Sequence, residues 1–179
     1  MSEKVLPQVR VATPDEVETV AEVSRRTFHD AFRDVVAPAE MTTYLTQAFS
    51  LPQMAAELAD PANLFLLALL NDSPVGYAKL HFGPAHESVH LPAPVKLWRI
   101  YADIALHGHG IGAALMRATI DHTLARGGRS LWLTTNIHND RAITFYQRWG
   151  FQIVGATTFP LGNEIHHDHV MACLLPSPA

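Results

Sequence analysis

The sequence predicts a mixed α/β fold built on one sheet, and three observations carry that prediction. Strand-length apolar runs and stretches of helical periodicity follow in a recognisable order: strand, two or three helices, hairpin, strand–glycine turn–helix, strand–helix and a closing pair of strands. Hairpins at either end pair antiparallel, while the central β-α-β-α portion brings strands parallel, so helices cover both faces of a mixed sheet. In the middle lies Leu97 to Met116: an aromatic-rich apolar run, glycines at 108, 110 and 112, and a helical pattern that starts at once.

Each element has a local reason. Gln8 to Ala12 alternates apolar and polar residues and reads as a strand. Thr13-Pro14-Asp15-Glu16 is a helix start, with Thr13 as N-cap, Pro14 in the first turn and Glu16 closing a capping box. That helix runs to about Phe32, with Val17, Val20, Ala21, Ser24, Thr27, Phe28 and Ala31 on one face. Pro38-Ala39-Glu40 starts a second helix reaching Ala48, and Ser50-Leu51-Pro52-Gln53 starts a third ending near Asp60. Leu64 to Leu70 is a buried strand, Asn71-Asp72-Ser73-Pro74 a turn, and Val75 to Phe82 the returning strand. Gly83 to Pro94, with three prolines, is a loop. A strand at Lys96 to Ile104 leads through the glycines to a helix over Gly110 to Arg126, stopped by Gly127-Gly128. Ser130 to Thr135 is a strand, and Asn139 begins a helix ending at Gly150. Phe151 to Phe159 and Ile165 to Leu174 are the last strands, joined by a turn at Leu161-Gly162-Asn163, and Pro176 to Ala179 is a tail.

Composition narrows the classes. The 179 residues are 48% apolar and 17% charged, which suits a single globular domain over residues 1–179. A formal net charge of −4 supplies no basic surface for nucleic acid. Cys173 is the only cysteine, so no intrachain disulfide forms, and its apolar surroundings suggest a buried structural thiol. The longest apolar run, Leu64 to Leu70, falls well short of the roughly 20 residues of a membrane span. Met1 to Pro7 carries no signal-peptide core, and a reducing cytoplasm is the expected compartment.

The glycine turn favours an anion. The first N–H groups of a helix lack partners within it, and the helix dipole adds partial positive charge there. Glycines adopt positive φ and let the backbone approach a ligand closely. A phosphate or pyrophosphate suits such a site. A dinucleotide site would place its glycines early in a run of βαβ units, and a Walker loop needs Gly-Lys-Ser/Thr, which is absent. A plain glycine connection between strand and helix is the remaining alternative.

Two motifs decide among these. Arg99-Ile100-Tyr101 … His107-Gly108-His109-Gly110-Ile111-Gly112-Ala113 resembles the acetyl-CoA loop of the GNAT N-acetyltransferases, Gln/Arg-x-x-Gly-x-Gly/Ala. Downstream, Asn139-Asp140-Arg141-Ala142-Ile143-Thr144-Phe145-Tyr146 … Gly150-Phe151 resembles that family's Asn-x-x-Ala-x-x-Phe-Tyr … Gly-Phe signature. Thr27 to Phe32, Tyr44-Leu45, Gly76 to Leu80 and the ending Phe159 … Asp168-His169-Val170-Met171 resemble the PaiA-type branch, associated with polyamine acetylation. His107 departs from the pattern, standing where the family has Gln or Arg.

The resemblance implies the GNAT fold: a mostly antiparallel sheet of six to seven strands, with a splayed central strand pair. It implies direct acetyl transfer from acetyl-CoA to a primary amine of a small molecule such as a polyamine, without an acyl-enzyme. Acetylation of a peptide α-amine and a non-catalytic acyl-CoA sensor are the alternatives, and many family members are homodimers. Ile100, Tyr101 and Ala102 would pair with the pantetheine arm and supply an oxyanion donor, and His107, Gly108, His109, Gly110, Ile111, Gly112 and Ala113 would hold the pyrophosphate. Asn139 and Arg148 would add contacts to the cofactor, and Tyr146 would protonate the leaving thiolate. Read without the motif, Tyr146 is a core aromatic and Asn139 an N-cap. Asp103 or His81 acting through water, or Asp30, are candidate bases. Asp30, Asp34, Tyr44, Trp98 and Tyr101 could recognise a cationic acceptor. In His166-His167-Asp168-His169 a strand places two imidazoles on one face, an incomplete zinc set, so no metal is expected.

Overall fold

Asn71 and Asp72 both adopt positive φ, 49° and 61°, and join two strands of the sheet in a two-residue connection. Short polar side chains tolerate this left-handed geometry, and two such residues form the turn whose twist matches a hairpin. The turn is therefore shorter than the sequence suggests: in the computed structural model, which describes residues 6–161 and 164–176, Ser73 and Pro74 already belong to the returning strand. The strands are β1 Gln8–Val11, β2 Asn63–Leu70, β3 Ser73–His81, β4 Pro94–Ala102, β5 Ser130–Asn136, β6 Gln152–Leu161 and β7 Glu164–Leu174. The helices are α1 Val17–Phe32, α2 Pro38–Ala48, α3 Leu51–Ala59, α4 Ile111–Ala125 and α5 Asp140–Arg148. Hydrogen bonding follows the strand order β1-β2-β3-β4-β5-β7-β6, a mostly antiparallel mixed sheet, as expected. Gly162 and Asn163 of the expected last turn, and Ser177 to Ala179 of the tail, lie outside the described residues.

The chain forms two compact units, and neither is a continuous stretch of sequence. The first comprises the residues up to Leu80 and Arg99–Thr119. Here β1 pairs antiparallel with β2, from Gln8↔Leu69 to Val11↔Leu66. The apolar run of β2 is explained by burial on both faces, since Phe65 to Ala68 are at most 3% exposed. Val20, Ala21, Val23, Ser24, Thr27 and Phe28 form the inner side of α1, while Ala31, expected there, is exposed. Phe49 and Met54, beside α2 and in α3, are fully buried, as are Ile111, Leu115 and Met116 of α4 to within 2%. Each such side chain contributes about 1.5–3 kcal/mol through loss of apolar surface to water.

The second unit comprises His81–Trp98 and the residues from Ile120 on. The first residues of β4 pair parallel with β5 at Pro94↔Ser130, Val95↔Leu131 and Lys96↔Trp132, and β5 then pairs antiparallel with β7. The strand starts two residues before the expected Lys96, because Arg129 N–H and the Ser130 hydroxyl reach back to the Ala93 and Pro92 carbonyls. Val89, Trp132, Val170 and Ala172 form one apolar cluster, closed by Ala85 and Leu91 of the preceding loop. A bulge between Ile153 and Gly155 lets Ser88 approach, since a Cβ on Gly155 would lie 2.3 Å from its hydroxyl oxygen. Cys173 is buried, and desolvation pushes its thiol up to about 11, as a structural thiol requires.

At the entry to α1 the expected capping interaction is present, with an addition. Thr13 N–H donates to Glu16 Oε2 at 2.8 Å, and Arg10 grips the same carboxylate through both nitrogens at 2.8 and 2.6 Å. These contacts hold the Glu16 carboxyl at about 2, well below its ordinary value. A depressed folded-state pKa stabilises the protein above the unfolded pKa and loses that effect as pH falls toward the folded one. Glu16→Gln should cost about 1 kcal/mol in urea unfolding at pH 7. The gap between variant and parent should close as pH falls from about 4 toward 2.

Candidate active site

The end of β4 and the start of α4 build the first part of the site. Asp103 N–H donates to the Val75 carbonyl at 2.8 Å, and the chain then leaves the strand for a short 3₁₀ turn at Ile104–Leu106. β4 thus ends at Ala102, two residues before the Ile104 expected from periodicity. The Asp103 carboxylate accepts from Arg26 Nε at 3.0 Å and Nη2 at 3.2 Å, and that guanidinium also donates to the Pro74 carbonyl at 2.8 Å. Asp103, a candidate base in sequence, is committed to this ion pair. On the opposite side of the backbone, Gly76 makes room: a Cβ there would sit 2.7 Å from the Tyr101 carbonyl oxygen.

The loop then forms as its glycines require. Gly108 and Gly110 have φ of +87° and +83°, with nothing near where a Cβ would stand. His107 N–H bonds to Ile104 O at 3.2 Å, and His109 bonds through N–H and Nδ1 to Leu106 O at 3.2 and 3.1 Å. The first helical bond of α4 runs from Ala114 N–H to Gly110 O at 2.9 Å. The amides of Ile111, Gly112 and Ala113 precede it and head the helix without helical partners. His107 and His109 are exposed beside them. An anionic ligand fits this end of α4 through main-chain donors, and a neighbouring imidazole can donate as well.

Rings from four elements gather around Tyr101. Phe28 stacks on Tyr44 with centroids 4.6 Å apart and lies 4.5 Å from Phe32, while Tyr101 meets Phe28, Phe32 and Tyr77 at 5.9 to 6.1 Å. Beside the rings lies a charge cluster that pattern reading missed. Glu57 Oε2 accepts from Lys79 Nζ at 2.8 Å and from Arg99 Nη1 at 3.2 Å. The Arg99 guanidinium also lies 4.8 Å from the Phe49 ring. The side chains of Lys79 and Arg99 are only 3% and 10% exposed. The available signal was a charge set among apolar residues in each element: Lys79 after Tyr77-Ala78, Arg99 after Leu97-Trp98, and Glu57 as the one charged residue of α3.

In the second unit, α5 begins as expected: Asn139 Oδ1 accepts from Ala142 N–H at 3.1 Å and caps the helix. Tyr146 is half-buried, with Phe145 and Phe151 at 5.5 and 5.7 Å, and desolvation holds its phenol above the ordinary value. Arg148 is exposed in the last turn. Trp98 is also exposed, with Lys96 Nζ 4.4 Å from its ring and His81 against its edge. Asp30 interacts locally, with His29 at 3.3 Å and Arg33 at 3.8 Å. Of the acceptor candidates, the aromatic cluster unites Tyr44 and Tyr101; Asp30 and Trp98 have the separate contacts just described. Among the described residues no three metal-ligating side chains converge.

A family model described as the acetyltransferase (GNAT) family matches residues 25–151. The chain belongs to the GNAT acetyltransferase family. An uncharacterized N-acetyltransferase of Mycobacterium bovis is 33% identical to it over 156 residues, 87% of this chain and 96% of that protein. The N-alpha-acetyltransferase RimI of Mycobacterium tuberculosis is 36% identical over 99 residues, 55% of this chain and 58% of that protein. The fold matches the crystal structure of PaiA N-acetyltransferase from Thermoplasma acidophilum in complex with coenzyme A. That match has a TM-score of 0.75 at 17% identity and covers 94% and 98% of the two chains. This GNAT chain is an acetyltransferase, with acetyl-CoA as its cosubstrate. No helix among its described residues is long and apolar enough to cross a membrane.

Gly76→Ala should destabilise the protein by about 1–3 kcal/mol, because the new methyl meets backbone rather than a yielding side chain. A fall of several degrees in melting temperature is expected; an unchanged value would show that β3 and β4 can separate there without cost.

Proposed function

We propose that residues 1–179 act as one domain that transfers the acetyl group of acetyl-CoA directly to a primary amine of a small molecule. The observation that carries this reading is the strand, positive-φ glycine loop and helix start running from Arg99 to Ala113. In this reading Ile100, Tyr101 and Ala102 pair with the pantetheine arm, and one of their amides stabilises the oxyanion. The amides from His107 to Ala113 hold the pyrophosphate, with the His107 ring where relatives use Gln or Arg. Asn139 and Arg148 contact the cofactor arm and its phosphates.

The neutral amine nitrogen attacks the thioester carbon, the carbon–sulfur bond breaks, and Tyr146 gives its phenolic proton to the departing thiolate; the proton shed by the nitrogen as the amide forms passes to water, from which the phenolate is reprotonated. Burial favours the neutral phenol, the form a general acid must have before it acts. A covalent route through the lone cysteine is disfavoured, because the Cys173 thiol is buried and pushed up to about 11. A peptide α-amine is the second reading, supported by the name of the RimI relative, which matches 55% of this chain.

Acetyl-CoA should raise the melting temperature, with stabilisation near 2.7 kcal/mol when the ligand is a hundredfold above its Kd. No shift at millimolar ligand would remove the cofactor assignment of the loop. Tyr146→Phe should lower kcat at least tenfold and leave the acetyl-CoA-induced shift intact. Unchanged turnover would exclude Tyr146 as the acid. Because the phenol is held above its ordinary value, activity that depends on it should not decline on the alkaline side until above about pH 10. A Tyr146-dependent fall near neutrality would contradict the role.

A further inference from the structure

We propose that Arg99 and the Tyr77 hydroxyl form an anion subsite beside the acetyl-holding segment, so that the amine this enzyme acetylates carries a carboxylate. The inference rests on the transfer reading above and names its acceptor class.

The charge cluster is unbalanced. Glu57 is the one carboxylate bonded to both cations, which share one of its oxygens, while Gln53 Nε2 donates to the other at 3.1 Å; Asp60 acts on Lys79 only from the exposed surface. Two buried cations on one carboxylate leave net positive charge in a low-dielectric place, which is costly unless an anion completes it. A guanidinium presents five N–H donors in a planar fork suited to a carboxylate. The bond to Glu57 is the hydrogen bond that Arg99 makes through its side chain among the described residues.

A second, independent observation points to the same ligand. Tyr77 is fully buried, and its hydroxyl has no neighbour to bond except the hydroxyl of Ser24, which is likewise without another partner. Two hydroxyls that can bond only each other leave one buried O–H without an acceptor, and beside the Arg99 guanidinium that donor marks a place for an acceptor atom. The Tyr44, Tyr77 and Tyr101 phenols all lie close enough to interact electrostatically with Arg99. Arg99 directly precedes Ile100 to Ala102, so a carboxylate held there belongs to a small acceptor whose amine reaches the thioester. The half-buried rings of Phe32, Tyr44 and Tyr101 suit an apolar side chain on that acceptor. A polyamine would instead add positive charge beside a cluster already net positive.

The test compares leucine, leucinamide and spermidine with acetyl-CoA and follows CoA release by the full chain. Leucinamide has the more easily deprotonated amine, so a preference for leucine must come from its carboxylate. Leucine should show kcat/KM at least tenfold above leucinamide, and spermidine should be the poorest. The leucine-to-leucinamide ratio should fall severalfold in Tyr77→Phe, which removes a hydroxyl whose one polar neighbour is Ser24, and should approach one in Arg99→Gln. If Arg99→Gln does not fold, Tyr77→Phe decides. In parallel, N-acetylleucine should raise the melting temperature of the parent more than N-acetylleucinamide does, and Tyr77→Phe should shrink that difference. Equal kcat/KM for acid and amide, a preference for spermidine, or equal melting shifts would each overturn the subsite. If no amine releases CoA while N-acetylleucine still stabilises selectively, the subsite stands and the transfer reading falls.

Discussion

The hydrogen bond from the Asp103 amide to the Val75 carbonyl, 2.8 Å long, decides where β4 stops. The glycine loop and the start of α4 follow within ten residues of it. The Asp103 carboxylate is pinned by Arg26, the backbone turns through Ile104–Leu106, and Gly108 and Gly110 take the positive φ that points the first amides of α4 outward. Without a side chain at Gly76, β3 can approach Tyr101 closely enough for this geometry to exist. A strand end, a salt bridge and an absent methyl together set the path of the glycine loop into α4.

The first unit carries a second and costlier feature. Two cations and one carboxylate in the interior are not a cheap way to stabilise a fold, since apolar residues of similar volume usually serve as well. Both cations also lie against aromatic rings, with Lys79 5.6 Å from Phe65 and Arg99 4.8 Å from Phe49. Ionic groups kept in such a place are more readily explained by a ligand than by stability. The placement of Arg99, one residue before the segment assigned to the thioester, makes the acceptor the natural candidate.

The second unit places its polar chemistry on α5. The Asn139 side chain is engaged as an N-cap, so its role in starting the helix is certain whatever else it contacts. Tyr146 sits among Phe145 and Phe151, surroundings that keep its proton in place. The two readings weighed for this residue, core aromatic and proton donor, are therefore compatible: desolvation among the rings raises the phenol's pKa further and leaves its proton in place.

How much was legible beforehand follows from the range of each interaction. Helix starts at Thr13, Pro38, Ser50 and Asn139, the continuous apolar run of β2, and the glycine loop depend on neighbours a few residues away, and the sequence alone determined them. The signatures around His107–Gly112 and Asn139–Phe151 did the same for the family. Local pattern failed where a distant partner intervened. The Asn71–Asp72 turn closes in two residues because the flanking strands pair, and β4 starts early and ends early because Arg129, Val75 and Arg26 capture its ends. Only the tertiary structure decided that Glu57, 22 residues from Lys79 and 42 from Arg99, would meet both cations in the interior. Charge pairing over such separations leaves no periodicity in the chain, because the fold rather than the sequence spacing brings the groups within reach.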